Sequence, residues 1–203
     1  MTLANKVVLR SKCVVLGNPG SGKSALVQMF HSDGSQYPKT YAMTIHCDVC
    51  VKVVNIPDTD VSVELFIHDV GGHDAFQEMW PRYIESATTF VLVYDVTSLD
   101  SFKALPKWIH LAQQRIKHIS GKTPTTTTNR EITGVVVATK TDQTLRRVVS
   151  RKQGEEAARG FGLAYMECSA ATNTDVDAPF YFLSAAFHEQ FEGVVKSLVR
   201  FAA

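Results

Sequence analysis

Short apolar runs rich in β-branched residues alternate along the chain with segments whose apolar residues recur every three or four positions. The runs at 12–17, 89–96, 134–140 and 164–170 are almost continuously apolar, which is typical of strands buried on both faces. One helical pattern follows the first run, and another lies near 101–117. This alternation predicts an α/β fold with a mainly parallel sheet and helices on both faces.

Two further apolar runs, 49–56 and 61–69, are separated by only four residues, Pro57 to Asp60. The second run has the two-residue periodicity of a strand that buries one face. A connection this short joins neighbouring strands as a hairpin. The pattern therefore predicts a six-stranded sheet that is mostly parallel and has one antiparallel edge strand.

The end of the chain has the pattern of a long helix, at about 178–201. Pro179 suits its first turn, and most of its apolar residues fall on one face. Phe182, Val195 and Val199 lie off that face, which makes them candidates for a partner surface. We expect core packing to account for most of the other apolar residues of this helix.

The eight residues from Gly17 to Ser24 read GNPGSGKS, which matches the phosphate-binding pattern G-x-x-x-x-G-K-[ST]. They lie between a predicted strand and a predicted helix, as the mechanism requires. Glycines let backbone N–H groups approach anionic oxygens, and the helix N-terminus adds a favourable dipole. We expect Lys23 to reach the β- and γ-phosphates of a nucleotide and the Ser24 hydroxyl to ligate Mg²⁺. The predicted phosphate-binding residues are Gly17, Asn18, Pro19, Gly20, Ser21, Gly22, Lys23, Ser24 and Ala25.

The end of a later strand, ATKTD at 138–142, indicates which nucleotide is bound. Asp142 can accept two hydrogen bonds from guanine, whereas adenine would leave that carboxylate unpaired. Lys140 can lay its methylene stem along the base. After the next strand, the N–H of Ala170 can donate to the guanine carbonyl. The order of these motifs favours a GTP-binding protein over a nucleoside or small-molecule kinase.

These motifs, with D-x-x-G at 69–72, LVYDVTSLDSF at 92–102 and CSA at 168–170, resemble those of the Ras-superfamily small GTPases, and of Rab proteins in particular. YAMT, IPDTDVSVELF and DAPF narrow the resemblance to the atypical Rab-like GTPase family of the intraflagellar transport B complex. The resemblance implies a P-loop small-GTPase fold, GTP or GDP with Mg²⁺ as ligands, and a role in ciliary transport. It also implies a small β-sandwich partner subunit and a location in the cytoplasm and the cilium or flagellum.

The resemblance also assigns the residues of the nucleotide switch. Thr44 is the candidate for binding Mg²⁺ and the γ-phosphate, with Thr40 as the competing threonine. Tyr37 matches an aromatic residue that packs against the base, although it equally fits a surface tyrosine. Asp69 is expected to hold Mg²⁺, with Ser24 and Thr44, and the Gly72 N–H to contact the γ-phosphate. The predicted base-binding residues are Thr139, Lys140, Asp142, Ser169, Ala170 and Ala171.

Four positions depart from the family pattern, and together they predict nucleotide binding with slow hydrolysis. His73 replaces the water-orienting glutamine, and Pro19 occupies space beside the γ-phosphate that a catalytic group needs. Thr139 replaces an asparagine that ties the base loop to the P-loop, and Ala171 replaces a lysine. The catalytic candidates are thus His73, a weak one that also fits a plain surface substitution, with Thr44 and Gly72. The alternative function is an active membrane-traffic signalling GTPase that depends on an external activating protein.

Composition narrows the partners. The chain has 21 basic and 20 acidic residues, so no overall field attracts nucleic acid or an anionic membrane. Cys47 and Cys50 form a C-x-x-C without a second Cys/His pair, which favours plain thiols over a metal site. No cysteine follows Cys168, so we expect no prenyl anchor, and no apolar run has the length of a membrane span.

One domain is predicted, 1–203, because neither a repeat nor an interdomain linker is visible. Within it, the threonine-rich stretch 120–131 predicts a flexible loop. The segment 76–84 follows the predicted γ-phosphate contact and carries several aromatic residues. We expect it both to contact effectors and to pack as a helix on the sheet, with Trp80 as its outward-facing anchor.

Overall fold

The computed structural model of the protein describes residues 6–119 and 132–202. The stretch 120–131, for which a flexible loop is predicted, lies outside the described residues. Apolar, β-branched sequence forms six strands, as the pattern predicts. They are β1 (Val7–Gly17), β2 (Cys47–Asn55), β3 (Val61–Val70), β4 (Thr89–Asp95), β5 (Thr133–Thr139) and β6 (Ala164–Glu167).

The six strands form one sheet in the order β2-β3-β1-β4-β5-β6. The hairpin strands β2 and β3 pair antiparallel, and each of the other neighbouring pairs is parallel. The fold class predicted from the sequence is therefore confirmed, including the single antiparallel edge. The carboxyl ends of the parallel strands lie along one edge of the sheet, where α/β proteins bind their ligands.

Helices cover both faces of the sheet. On one face α1 and α6 bury Phe30, Leu26, Phe180 and Leu183 against the strands. On the other face α2, α4 and α5 pack over the second apolar cluster, which includes Trp108. The helices are α1 (Lys23–His31), α2 (Trp80–Ile84), α3 (Leu99–Lys103), α4 (Leu105–Ile119), α5 (Arg151–Gly160) and α6 (Ala178–Ala202).

The structure differs most from the sequence prediction in three places. The helix predicted near 101–117 is two helices, since Ala104 ends α3 and α4 begins anew at Leu105. β1 starts five residues earlier than predicted, at Val7. The helix α5 was not predicted, although its capping box is visible in the sequence: Ser150 and Gln153 bond each other's backbone N–H groups.

The last helix, α6, is buried near its N-terminal end and exposed near its C-terminal end. Its first two turns are anchored by buried Phe180 and Leu183, whereas every described side chain from Glu189 onward is exposed. No helix within the described residues has both the length and the hydropathy needed to cross a membrane.

Candidate functional site

The P-loop connects β1 to α1 in a conformation that depends on two of its glycines. Gly22 has a φ of 94°, in the left-handed region, and directly precedes the first residue of α1. A Cβ on Gly17 would come within 2.3 Å of the carbonyl oxygen of Val93 on the neighbouring strand. Close packing of the loop on the sheet therefore excludes a side chain at this position.

Lys23 is a buried cation, only 6% exposed. Its Nζ donates to the carbonyl oxygens of Gly17 at 2.9 Å and Asn18 at 3.0 Å. Burial lowers the pKa of Lys23 to about 8, and the negative charge of Asp69 partly opposes this effect. The loop therefore holds a positive charge in a water-poor site, where it attracts anions strongly.

Three oxygen-bearing side chains meet at the start of α1. The Ser24 hydroxyl lies 2.8 Å from the Thr44 hydroxyl and donates to Oδ2 of Asp69 at 2.5 Å. The Thr44 hydroxyl is 3.4 Å from the same carboxylate oxygen. Thr40 is exposed and makes no side-chain hydrogen bond within 6–119 and 132–202. Of the two candidate threonines, the fold brings Thr44 to Ser24 and Asp69.

The carboxylate of Asp69 is under-satisfied in a way that fits a cation. It is 3% exposed, and burial raises its pKa against the opposing bond from Ser24 and the charge of Lys23. Among the residues that the structure describes, its Oδ1 has no hydrogen-bond partner. Two hydroxyls and a carboxylate oxygen form the hard donor set that Mg²⁺ prefers.

Gly72 lies directly against the P-loop, and a Cβ there would come within 2.0 Å of the Gly17 carbonyl oxygen. His73 is exposed, and its Nδ1 accepts a hydrogen bond from the Ala75 N–H at 3.2 Å. In the neutral imidazole that this bond selects, Nε2 carries the proton and is a donor. His73 therefore cannot present a donor and an acceptor together, as a carboxamide does.

A cavity of about 260 Å³ opens beside the P-loop and the residues after Gly72. Pro19 forms part of its wall and is exposed. The cavity lies between the first turn of the P-loop, the segment after β3 and the start of α4. Its lining residues are Asn18, Pro19, Gly72, His73, Asp74, Ala104 and Lys107.

The base end of the site differs from the sequence prediction in one respect. Thr139 was expected to lose the tie between the base loop and the P-loop, but its hydroxyl donates to the Ser21 carbonyl oxygen at 2.5 Å. Thr139 is 2% exposed and packs against Gly22. The Thr139 hydroxyl makes the bond that was expected of an asparagine side chain, because the base loop and the P-loop lie close enough for the shorter side chain to reach.

Lys140 and Asp142 are also held by neighbours. The Lys140 ammonium lies 2.7 Å from the nearly buried carboxylate of Asp95 and donates to the Gly20 carbonyl oxygen at 2.8 Å. Ser169 donates to Oδ1 of Asp142 at 2.6 Å. This joins the loop after β5 to the loop after β6, which also carries Ala170 and Ala171.

Two aromatic predictions have different outcomes. Tyr37 is 48% exposed in the loop before β2 and makes no ring contact or side-chain hydrogen bond within the described part of the chain, so its packing on the base stays a prediction. The prediction that Trp80 faces outward is wrong. Trp80 is 4% exposed, and its indole N–H donates to the Gly71 carbonyl oxygen at 3.0 Å.

Sequence reasoning did not assign two residues that support the site. Asp95, which anchors Lys140, carried one signal, since it is a charged residue at the end of a buried strand. Trp108 carried none. Its indole N–H donates to Oδ1 of Asn18 in the P-loop at 2.8 Å, a contact between residues 90 positions apart.

Comparison with known proteins shows the family to which the chain belongs. Residues 12–189 match the model of the Ras family. The chain is 41% identical to an intraflagellar transport protein 27 homolog of Bos taurus, over 91% of the chain and 94% of the relative. It is 36% identical to intraflagellar transport protein 27 of Chlamydomonas reinhardtii, over 92% and 88%. Identity to Ras-related protein Rab-30 of Homo sapiens is 31%, over 85% and 77%. The chain therefore belongs to the Ras family of small GTPases, as a Rab-like member of the intraflagellar transport protein 27 type.

Proposed function

We propose that the protein binds GTP and GDP with Mg²⁺, hydrolyses GTP slowly, and acts through partner binding as a subunit or switch of ciliary transport. The observation that carries the proposal is the meeting of Ser24, Thr44 and Asp69 beside the buried ammonium of Lys23. In this proposal these three oxygen-bearing residues hold Mg²⁺, which would neutralise phosphate charge. Thr44 takes the role for which Thr40 competed.

The chain's own groups account for the rest of nucleotide binding. Lys23 and the N–H groups of the P-loop bind the phosphates, and the Gly72 N–H contacts the γ-phosphate. At the other end, Asp142 accepts from the base while Lys140 lies along it. Thr139 and Ser169 fix the positions of these two side chains, and the loop of Ala170 and Ala171 closes the base pocket.

Slow hydrolysis follows from His73 and Pro19. His73 uses Nδ1 to cap the turn that follows it, which leaves one ring nitrogen, a donor, for an attacking water. The ring of Pro19 narrows the space beside the γ-phosphate. Unassisted Ras hydrolyses GTP at a rate on the order of 10⁻⁴ s⁻¹, and we expect this protein at or below that rate.

A single-turnover experiment tests the proposed activity. The purified protein is loaded with GTP and Mg²⁺, and the conversion of bound GTP to GDP is followed over many hours. Stable GTP supports a protein that holds its nucleotide. Conversion faster than the unassisted small-GTPase rate contradicts slow hydrolysis and favours the alternative, an active signalling GTPase. Failure to load GTP contradicts both functions.

For the partner we propose the small β-sandwich subunit of the intraflagellar transport B complex, bound at the free end of α6. Five exposed apolar residues recur there and form a broad apolar surface, in which Val195 and Val199 lie beside the stripe of Phe191, Val194 and Leu198. An apolar face of this size is costly to leave in water. These residues are Phe191, Val194, Val195, Leu198 and Val199, which are 40–63% exposed.

Co-expression and co-purification of the two subunits test whether this surface binds the partner. We expect Leu198→Glu with Val194→Glu to abolish co-purification, because the charges would face an apolar interface. The control is Gly193→Glu, on the opposite side of the same helix, where an added side chain meets open space; it should leave the pair intact. Co-purification of the double variant at the normal level would contradict this site.

The names of the relatives in turn support a location in the cilium or flagellum.

A further inference from the structure

Two tryptophans and a lysine form a compact cluster between α2 and α4. The rings of Trp80 and Trp108 are both buried, with centroids 4.6 Å apart and planes inclined at 57°. The Nζ of Lys107 lies over both rings, 4.7 Å from the centroid of Trp80 and 5.1 Å from that of Trp108. An ammonium group in this position is attracted by the electron-rich faces of both rings.

The cluster is bonded to both segments that are proposed to contact the γ-phosphate. On the P-loop side, Trp108 donates to Oδ1 of Asn18 at 2.8 Å. On the side of the segment after β3, Trp80 donates to the Gly71 carbonyl oxygen at 3.0 Å. Lys107 adds an ion pair to Asp74, with Nζ and Oδ1 2.7 Å apart.

Gly72, whose N–H is proposed to contact the γ-phosphate, lies between two of these bonded positions. Gly71 precedes it and Asp74 follows it by two, so the cluster holds the backbone on both sides. The held backbone lies against the P-loop, since a Cβ on Gly72 would come within 2.0 Å of the Gly17 carbonyl oxygen. The rigid element behind the cluster is α4, which buries Leu105 and Ile109 in the core.

We propose that Lys107 is a positioning residue: by bridging Trp80, Trp108 and Asp74, it holds the segment after Gly72 closed on the P-loop and so raises the preference for GTP over GDP. The inference deepens the proposed function and rests on it. GTP needs the closed segment because the Gly72 N–H contacts the γ-phosphate, whereas GDP has no γ-phosphate to contact. The apparent affinity for GTP is therefore reduced by the fraction of molecules that are open, and that for GDP is not.

The variant Lys107→Met tests the proposal because it keeps the length of the side chain and removes the charge. Dissociation constants for GDP and for a slowly hydrolysed GTP analogue are measured with Mg²⁺, and the ratio is compared with the wild type. We expect GTP-analogue affinity to fall about three- to tenfold, as the loss of two cation–π contacts and one exposed ion pair allows, with GDP affinity unchanged. Lys107→Arg, which retains both kinds of contact, should restore the ratio. Lys103→Met is the matched control, an exposed lysine on α3.

An unchanged ratio would overturn the proposal, and so would an equal loss of affinity for both nucleotides, because a merely structural lysine gives those results. Amide hydrogen exchange of 72–80 in nucleotide-free wild type and Lys107→Met provides a second readout. Faster exchange in the variant supports the positioning role of Lys107 even if neither protein binds nucleotide. In that case the proposed function fails and the positioning role survives. Equal exchange in both proteins contradicts the positioning role itself.

Discussion

The two ends of the nucleotide site are built differently. At the base end the described side chains are paired within the protein: Thr139 with the Ser21 carbonyl, Lys140 with Asp95, and Asp142 with Ser169. At the phosphate end Ser24 and Thr44 approach one oxygen of Asp69, and within the described residues the other oxygen stays without a partner.

The side chains at the base end therefore stabilise the fold, whereas those at the phosphate end are available to bind a ligand. Bonds at the base end join β5, the P-loop and the loop after β6, so we expect losses there to reduce both folding stability and nucleotide binding. Groups at the phosphate end carry a burial cost that a bound ligand would offset. Losses there should reduce nucleotide binding and leave the stability of the free protein nearly unchanged.

The largest effect is expected from Lys23→Met at the phosphate end. GTP affinity should fall by about 10³-fold or more, because two or more charge-assisted bonds of about 1.5–3 kcal/mol each are lost in a buried site. The Tm of the nucleotide-free protein should change by less than about 2 °C, a fraction of a kcal/mol for a chain of this length. The substitution removes the bonds to the Gly17 and Asn18 carbonyls, but it also removes the cost of burying the ammonium charge, and the two effects offset each other. Fluorescent-nucleotide titration and thermal unfolding measure the two quantities. A large drop in Tm would contradict the statement that losses at the phosphate end leave the stability of the free protein nearly unchanged.

The next largest effect is expected from Asp142→Ala at the base end. We expect GTP affinity to fall about 10²- to 10³-fold, somewhat less than for Lys23, because Asp142 is exposed and water would screen the two bonds that we propose it makes to the base. ATP should then compete with GTP nearly as well as GTP itself does. Competition titration with the four nucleoside triphosphates measures this change, and retained guanine preference would remove Asp142 from the site.

The variant Thr139→Val tests a bond within the protein at the base end, from the Thr139 hydroxyl to the Ser21 carbonyl oxygen. The substitution leaves the buried Ser21 carbonyl without its donor, which costs about 1–3 kcal/mol. We therefore expect the Tm of the nucleotide-free protein to fall by about 2–10 °C and nucleotide to dissociate faster. Thr139→Ser, which keeps the hydroxyl, and Thr141→Val, two residues away, are the controls. If Thr139→Val behaves like Thr141→Val, the tie has no energetic importance.

The smallest effect is expected behind the base end, at Glu167 on β6. Burial alone would raise the pKa of Glu167, but bonds from Arg147 and Tyr165 hold it below its ordinary value. The charged form therefore stabilises the fold above pH 4.5, and this contribution is lost as the pH falls through the lowered pKa. Glu167→Gln should cost up to about 1 kcal/mol at pH 7. Denaturant titration of both proteins should give a difference that disappears as the pH falls through the lowered pKa of Glu167, and a constant difference would contradict the assignment.

The sequence determined the framework of this protein because its signals are local. Strand runs and helical periodicity predicted six strands in a mostly parallel sheet with one antiparallel edge, and the glycine spacing of 17–24 located the phosphate loop between β1 and α1. The D-x-x-G at 69–72 located the residues that lie against that loop. Each signal needs only neighbouring residues and the preference of glycine or apolar side chains for one kind of backbone or environment.

Tertiary structure alone decided which side chains meet. Trp80 turns inward because its indole N–H reaches the Gly71 carbonyl and its ring packs on Trp108, 28 positions later in the chain. Thr139 replaces an asparagine without losing the tie to Ser21, a contact across 118 positions. Thr44 rather than Thr40 meets Ser24 and Asp69. Periodicity tells which face of an element is apolar, but contacts between distant residues depend on how the elements pack, and that packing minimises free energy over the whole fold.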